Sequence, residues 1–241
     1  MALCIGLNRR HGRTRLVTLI TMRIVIAGGH GKIALRLQHL LSLSGHEAIG
    51  LIRNPDHADA LRDVGAQPVV CDLEKSSVSE VAAALDGADA VVFAAGAGPG
   101  SGAERKTTVD KDAAVLLADA AEEAKVRRYV MVSAMNVDDE PPSDTEPVFA
   151  AYLRAKGAAD ADLRSRKDLD WTILRPGRLT DDPGTGRVDL ATKVERGDVS
   201  RDDVAIVLCH LLTTPATAGL TLELVNGDVE VTDAISVVSG D

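Results

Sequence analysis

From Met22 onward the chain alternates short apolar runs with longer amphipathic stretches. Arg23 to Ala27, Ala48 to Ile52, Gln67 to Cys71, Asp89 to Ala94, Arg128 to Ser133 and Trp171 to Leu174 are each four to six residues long and mostly apolar. Runs of that length and composition predict strands buried on both faces. Between them, apolar residues recur at three- and four-residue spacing, as in Ile33, Leu37, Leu40 and Leu41, or Val109, Ala113, Leu116, Leu117 and Ala120. That spacing predicts helices with one buried face. Strand and helix in regular alternation build right-handed βαβ units, so the expected fold class is α/β with a doubly wound parallel sheet. After Leu174 the rhythm loosens. Pro176 to Gly186 reads as a loop rich in Gly, Pro and Asp, followed by a helix over 201–213, a strand over 222–225 and a short terminal helix. This gives one domain over 22–241, with 176–241 a small C-terminal extension on the substrate side. The acidic, proline-rich segment from Asp138 to Pro147 reads as a mobile surface or lid segment.

Composition narrows the function. The chain has 241 residues, 45% of them hydrophobic but only 2% aromatic, so its core is made of Ala, Val, Leu and Ile. Five aromatic rings offer no platform for stacking bases. A formal charge of −9 repels a phosphate backbone. Nucleic acid and anionic membrane surfaces are therefore not expected partners; a small-molecule substrate is, with monomer and homodimer both open. No run approaches the ~18 apolar residues that span a bilayer. Cys4, Cys71 and Cys209 are far apart and fit no metal or disulfide spacing, so they read as thiols of a soluble cytoplasmic protein, and no metal is expected. Residues 1–21 carry Arg9, Arg10, Arg13 and Arg15 and no acid. The arginines follow the apolar residues instead of preceding them, which is the wrong order for a secretory signal. This segment reads as a disordered extension or an upstream misassigned start, with Met22 opening the patterned chain.

The first strand runs directly into Gly28-Gly29-His30-Gly31-Lys32-Ile33-Ala34, and a helix follows. Such a turn lets backbone approach a pyrophosphate, which the helix N-terminus then attracts. Ala34 stands where a third glycine often does and is small enough for close helix–strand contact. His30 and Lys32 sit in the loop itself; a phosphate contact and simple exposure are both open for Lys32. The second strand is followed by Arg53, where an acid would hold a ribose 2′-hydroxyl and an arginine accommodates a 2′-phosphate. NADP(H) is therefore expected over NAD(H). Asp72, at the third strand end, is placed to accept from an adenine amino group and Leu73 to lie on its ring, although either could serve an ordinary turn. Ala94, Ala95 and Gly96 continue the fourth strand with small residues where a dinucleotide would pass.

Tyr152 and Lys156 lie four residues apart on one helix face. A neighbouring ammonium lowers a phenol's pKa toward the range in which it trades protons with a carbonyl or hydroxyl. Ser133, at the end of the fifth strand, is placed to polarise a substrate carbonyl. With the glycine turn, Arg53, Asp72-Leu73, Ser133, Tyr152/Lys156, Trp171 to Gly177 (WTILRPG) and Asp198 to Ala205 (DVSRDDVA), residues 22 to about 230 resemble the short-chain dehydrogenase/reductase superfamily. The resemblance is to its atypical NAD(P)H-binding group, which includes NmrA-like sensors and flavin- or biliverdin-type reductases. It implies a Rossmann-type fold and an oxidoreductase acting on a carbonyl, hydroxyl, quinone or flavin-like substrate, or else a non-catalytic NADP(H) sensor with a protein partner. It also implies that Tyr152 is the general acid/base, that Lys156 lowers its pKa and binds the nicotinamide ribose, and that Ser133 orients the carbonyl. Pro176, Gly177 and Leu179 would line the nicotinamide end. Asp110 falls where the superfamily usually has a catalytic Asn. Trp171 and Tyr129 read as packing residues and His210 as a core histidine.

Overall fold

The computed structural model describes residues 21–98 and 100–240. Apart from Thr21, the segment read as an extension or misassigned start lies outside the described residues. The chain runs β1 (Arg23–Ala27), α1 (Lys32–Leu43), β2 (Glu47–Ile52), α2 (Ala58–Asp63), β3 (Gln67–Val70), α3 (Val78–Ala84), β4 (Ala90–Phe93) and α4 (Ala103–Arg105). A π-helical stretch, Lys106–Asp112, leads into α5 (Ala113–Glu123), then β5 (Arg128–Val132), α6 (Pro147–Ser165) and β6 (Asp170–Pro176). The remainder is β7 (Arg178–Thr180), β8 (Arg187–Ala191), β9 (Asp198–Ser200), α7 (Arg201–Thr213), β10 (Leu220–Asn226), β11 (Val229–Glu230) and α8 (Val231–Ser239).

The main sheet has the order β3-β2-β1-β4-β5-β6-β10-β8-β11. The first seven strands are parallel, and β8 pairs antiparallel with both β10 and β11. Alternate residues of the central strands serve two cores. Ile24, Ile26, Val92 and Val130 pack with Leu37 and Leu41 of α1 and with Leu208 and Leu211 of α7. Val25, Val91, Tyr129 and Met131 face the other way, onto Leu117 and Ala121 of α5 and Leu163 of α6. Helices on both faces explain why these strands are continuous apolar runs. Trp171 packs at the edge of the second core, Tyr129 is buried within it, and His210 is half-buried.

Two expectations need correction. Gln67 to Val70 forms an edge strand with exposed ends, not one buried on both faces, because β3 has a neighbour on one side only. Pro176 to Gly186 is not one loop: Pro176 ends β6, and β7 pairs with β9 in a separate two-stranded sheet. Three residues are too few to show a period, so β7 is silent in the sequence. Asp138 to Pro147 lies on the surface as expected, anchored at its ends: Asp138 pairs with Arg175 and Arg164, Glu140 with Arg154, and Glu146 caps α6 through the Val148 and Phe149 amides.

The sheet reverses direction of winding between β1 and β4, and a crevice opens there at the carboxyl ends of the strands. In doubly wound sheets that is where ligands bind.

Candidate functional site

One end of the crevice is built by the glycine turn. Gly28 has φ +79°, and a Cβ there would lie 2.6 Å from the Ala95 Cα, so both conformation and space require glycine. Gly31 N–H donates to the Gly28 carbonyl, and the buried Gln38 amide donates to the Gly29 and Ala34 carbonyls, tying the turn to α1. Gln38 was not anticipated; a polar side chain on an otherwise apolar helix face is the signal for it. Gly31 caps α1 without a side chain, and the first turn of α1 contains no acid. Its N–H groups and dipole are thus free for an anion, the chemistry that a pyrophosphate requires. Ile33 is buried beneath this turn and lines the part of the cavity that Ser133, Tyr152 and Lys156 share. Lys32 does not join the cavity: its ammonium lies 2.6 Å from Asp181, which also pairs with Arg201 and Arg36. Of the two readings open for Lys32, exposure is the one seen: the side chain is largely exposed and its ammonium is paired with Asp181.

From Gly28 and Gly31 the cavity extends past Arg53 to Asp72, Leu73 and Glu74. Glu74 is the hub of this end, accepting from Arg53 (3.1 Å), Arg105 (2.7 Å) and Thr108 (2.9 Å). Partial burial pushes its carboxyl up, but those donors hold it below the usual carboxylate range. Asp72 accepts from the Glu74 amide and pairs with Lys75, so one of its oxygens serves the local turn. His30 stacks on His57, with ring centroids 3.7 Å apart and planes 15° apart, on the same wall.

Past Ala94, Ala95 and Gly96 the cavity turns inward. Here the π-helical stretch carries Asp110, and α6 carries Tyr152, Lys156 and Asp160 on one face at four-residue intervals. Lys156 is buried; its ammonium donates to the Val132 carbonyl (3.1 Å) and sits 3.5 Å from Asp110 Oδ1. Asp110 Oδ2 accepts from the Ala97 amide, while Oδ1 makes no hydrogen bond. Ser133 Oγ and Asp160 Oδ1 are also buried without a well-formed hydrogen bond, although they lie close enough for the hydroxyl to favour the carboxylate. Arg175 bridges Asp160 (2.8 Å) to Asp138 (2.5 and 2.6 Å), joining the cavity floor to the segment that follows β5. Sequence reading missed Asp160, Arg175 and Lys106, whose ammonium lies 5.5 Å over the Tyr152 ring.

The electrostatics correct one expectation. Burial, with the Asp110 and Asp160 charges, pushes the Tyr152 phenol well above its ordinary value instead of below it. Burial also lowers the Lys156 ammonium, against the pull of Asp110 and Asp160. Lys156 is engaged by Asp110 and a backbone carbonyl, and two carboxylates flank the phenol.

Beyond Tyr152 and Ser133 lies a second cavity of about 660 Å³, within the size range of small-molecule sites. Pro176, Gly177 and Leu179 line it with Met135, Phe149 and Leu153, and Arg178 and Arg196 stand at its edge. A Cβ on Gly177 would lie 2.2 Å from the Gly197 carbonyl, so glycine lets β6 turn against the strand that follows 197. The DVSRDDVA segment acts structurally: Ser200 caps α7, and Asp203 accepts from the Thr185 and Gly186 amides. Among the described residues no helix is long and apolar enough to cross a membrane, and no group of His, Cys, Asp and Glu could hold a metal.

The site fits a dinucleotide in its own chemistry. There is a helix N-terminus without a side-chain cap at the glycine turn, and buried Ser133 and Asp110 line the far end of the same crevice with polar atoms that have no well-formed hydrogen bond among the described residues.

Comparison with known proteins agrees. Residues 28–215 match the NAD(P)H-binding family. The chain is 34% identical over 215 residues to the "Uncharacterized sugar epimerase YhfK" of Bacillus subtilis, covering 89% of this chain and 99% of that protein. It is 34% identical, with a TM-score of 0.83, to a Bacillus halodurans protein described as an NAD-dependent epimerase/dehydratase, covering 90% of this chain and all of that one. ChuY of Escherichia coli O157:H7, an anaerobilin reductase, is 26% identical with a TM-score of 0.71, covering 86% of this chain and 98% of that one. The chain belongs to the NAD(P)H-binding family, in the atypical group of short-chain dehydrogenase/reductases whose members are oxidoreductase-like.

Proposed function

We propose that this protein is an NADP(H)-dependent reductase of a small carbonyl, quinone or flavin-like compound, with Tyr152 as proton donor. The observation that carries this reading is the meeting of Tyr152 and the buried Ser133 hydroxyl on a wall shared by the dinucleotide crevice and a second cavity. The dinucleotide supplies a hydride. The residues supply the rest. The α1 N-terminus with Gly28 and Gly31 holds the pyrophosphate, Arg53 faces the ribose 2′-position, and Asp72 and Leu73 take the adenine. Lys156 and Asp110 take the hydroxyls of the nicotinamide ribose.

Ser133 donates to the substrate oxygen, and Tyr152 gives that oxygen its proton as negative charge develops. Burial keeps the Tyr152 phenol protonated at neutral pH, the form in which it can donate to a developing alkoxide. The second cavity combines Met135, Phe149, Leu153 and Pro176 with Asn136, Arg178, Arg196 and Asp198, a lining that suits a substrate with an apolar body and a few polar groups. That ChuY is a reductase agrees with this reading.

One observation favours the sensor alternative: Lys156 is held by Asp110 and does not lower the phenol. Tyr152→Phe separates the two. In a screen of quinone, aldehyde and flavin substrates, the reductase reading expects kcat to fall by about 10²- to 10⁴-fold with dinucleotide affinity held within about twofold. Full turnover in that variant removes Tyr152 as proton donor, and no NADPH oxidation by the unmodified protein with any substrate supports the sensor.

A further inference from the structure

We propose that His30 and His57 act together with Arg53 as a protonatable clamp on the 2′-phosphate of NADP(H), making dinucleotide selectivity depend on pH. This rests on the NADP(H) reading above and adds which residues set the preference and when they act.

The two imidazoles come from different elements, His30 from the glycine turn and His57 from the turn after β2. They nevertheless stack with centroids 3.7 Å apart. Neither ring nitrogen has a hydrogen-bond partner among the described residues. Both rings line the same cavity as Gly31, Arg53, Asp72 and Leu73.

Two imidazoles so close resist being charged together. Burial and the His57 charge both hold His30 below its ordinary value. A phosphate against the pair reverses that balance. The other charges facing the pair do not replace it: Glu74 is occupied by Arg53 and Arg105, and Asp72 by Lys75. Asp59, on the helix that follows His57, pairs with Arg62, and Asp56 beside His57 is exposed. The Cys71 thiol is pushed up by burial and adds no charge. The pocket therefore offers a phosphate two arginines that share one carboxylate, plus two imidazoles able to take up protons. NAD(H) has only a hydroxyl at that position and gains nothing from their protonation.

By linkage, a group whose proton is held more tightly in the complex than in the free protein takes up protons on binding, so NADP(H) binds more tightly as pH falls through the imidazole range. The 2′-phosphate also titrates, near pH 6, and in the opposite sense. The test must therefore compare proteins that differ only in the imidazoles. Calorimetric titrations of NADP+ and NAD+ between pH 5.5 and 8.5, in buffers of different ionisation heat, are run on the unmodified chain, His57→Phe and His30→Phe. Phenylalanine keeps a ring in the stack and cannot take a proton.

The proposal expects the unmodified chain to take up more protons with NADP+ near pH 7 than either variant, by roughly half a proton. Its NADP+ to NAD+ affinity ratio should rise about tenfold from pH 8 to pH 6 relative to the variants. Proton uptake with NAD+ should be the same for all three proteins. Equal uptake with NADP+, or equal ratios at every pH, overturns the clamp while leaving NADP(H) binding intact. NAD+ binding better than NADP+ at every pH overturns the clamp and the NADP(H) preference together, and failure to bind either dinucleotide overturns the wider reading too.

Discussion

The two ends of the crevice solve the same electrostatic problem in opposite ways. At the adenosine end, charges are near water and paired on the rim: Arg53 and Arg105 share Glu74, and Lys75 holds Asp72. At the proposed nicotinamide end, Asp110, Lys156, Asp160 and Arg175 are all buried, and one atom each of Asp110, Asp160 and Ser133 has no well-formed hydrogen bond among the described residues. Exposed pairs contribute little to stability and can exchange partners with an incoming ligand. Buried charges depend on each other, because each would be costly alone. The first end is therefore suited to choosing a ligand, and the second to holding a reacting oxygen in one place.

Removing one member of the buried set should have the largest effect. Arg175→Met leaves Asp160 without its cation and releases Asp138, and the account expects a loss of about 3–5 kcal/mol in denaturant unfolding. A loss below about 1 kcal/mol would show that the nicotinamide end behaves like the rim. Next is Arg53→Ala, expected to weaken NADPH binding by about 10-fold or more while changing NADH binding little, read by fluorescence titration. The parallel Lys32→Ala variant should leave both within about twofold, since Lys32 is already paired with Asp181. A large Lys32 effect would return that residue to the phosphate site.

The smallest effect concerns acid stability. Hydrogen bonds from Arg175 hold the Asp138 carboxyl at about 2, below its ordinary 3.8. A lowered folded-state value stabilises above the unfolded one, so this contribution is present above about pH 4 and lost as pH falls toward 2. Asp138 is half exposed, so its share is under about 1 kcal/mol. Asp138→Asn should flatten the acid limb of a stability–pH curve and leave the curve above pH 5 parallel to the original.

Much of the adenosine end was legible because backbone carries it. A glycine turn between strand and helix, an arginine after the second strand and small residues after the fourth are local signals, and the fold brings them together by topology alone. The pairing of Lys32 was not legible, because its partner Asp181 is remote in sequence and follows a strand too short to show a pattern. At the nicotinamide end the Tyr152/Lys156 spacing was visible, but its electrostatics were not. Whether a lysine lowers a phenol depends on what else is buried nearby, and here Asp160 comes from one turn further along the helix and Asp110 from another helical segment, so their approach to the phenol is tertiary. β8, in contrast, was missed despite an alternating pattern, Arg187-Val188-Asp189-Leu190, buried at every second residue.

The central claim is that the dinucleotide lies across both ends, with its reacting carbon beside Tyr152 and Ser133. A crystal structure with bound NADP+ tests it most directly. The account predicts the nicotinamide between Ser133 and Leu179, with the Tyr152 and Ser133 hydroxyls both within about 3.2 Å of one oxygen position over nicotinamide C4. A nicotinamide lodged elsewhere, or hydroxyls too far apart to share one oxygen, would contradict it.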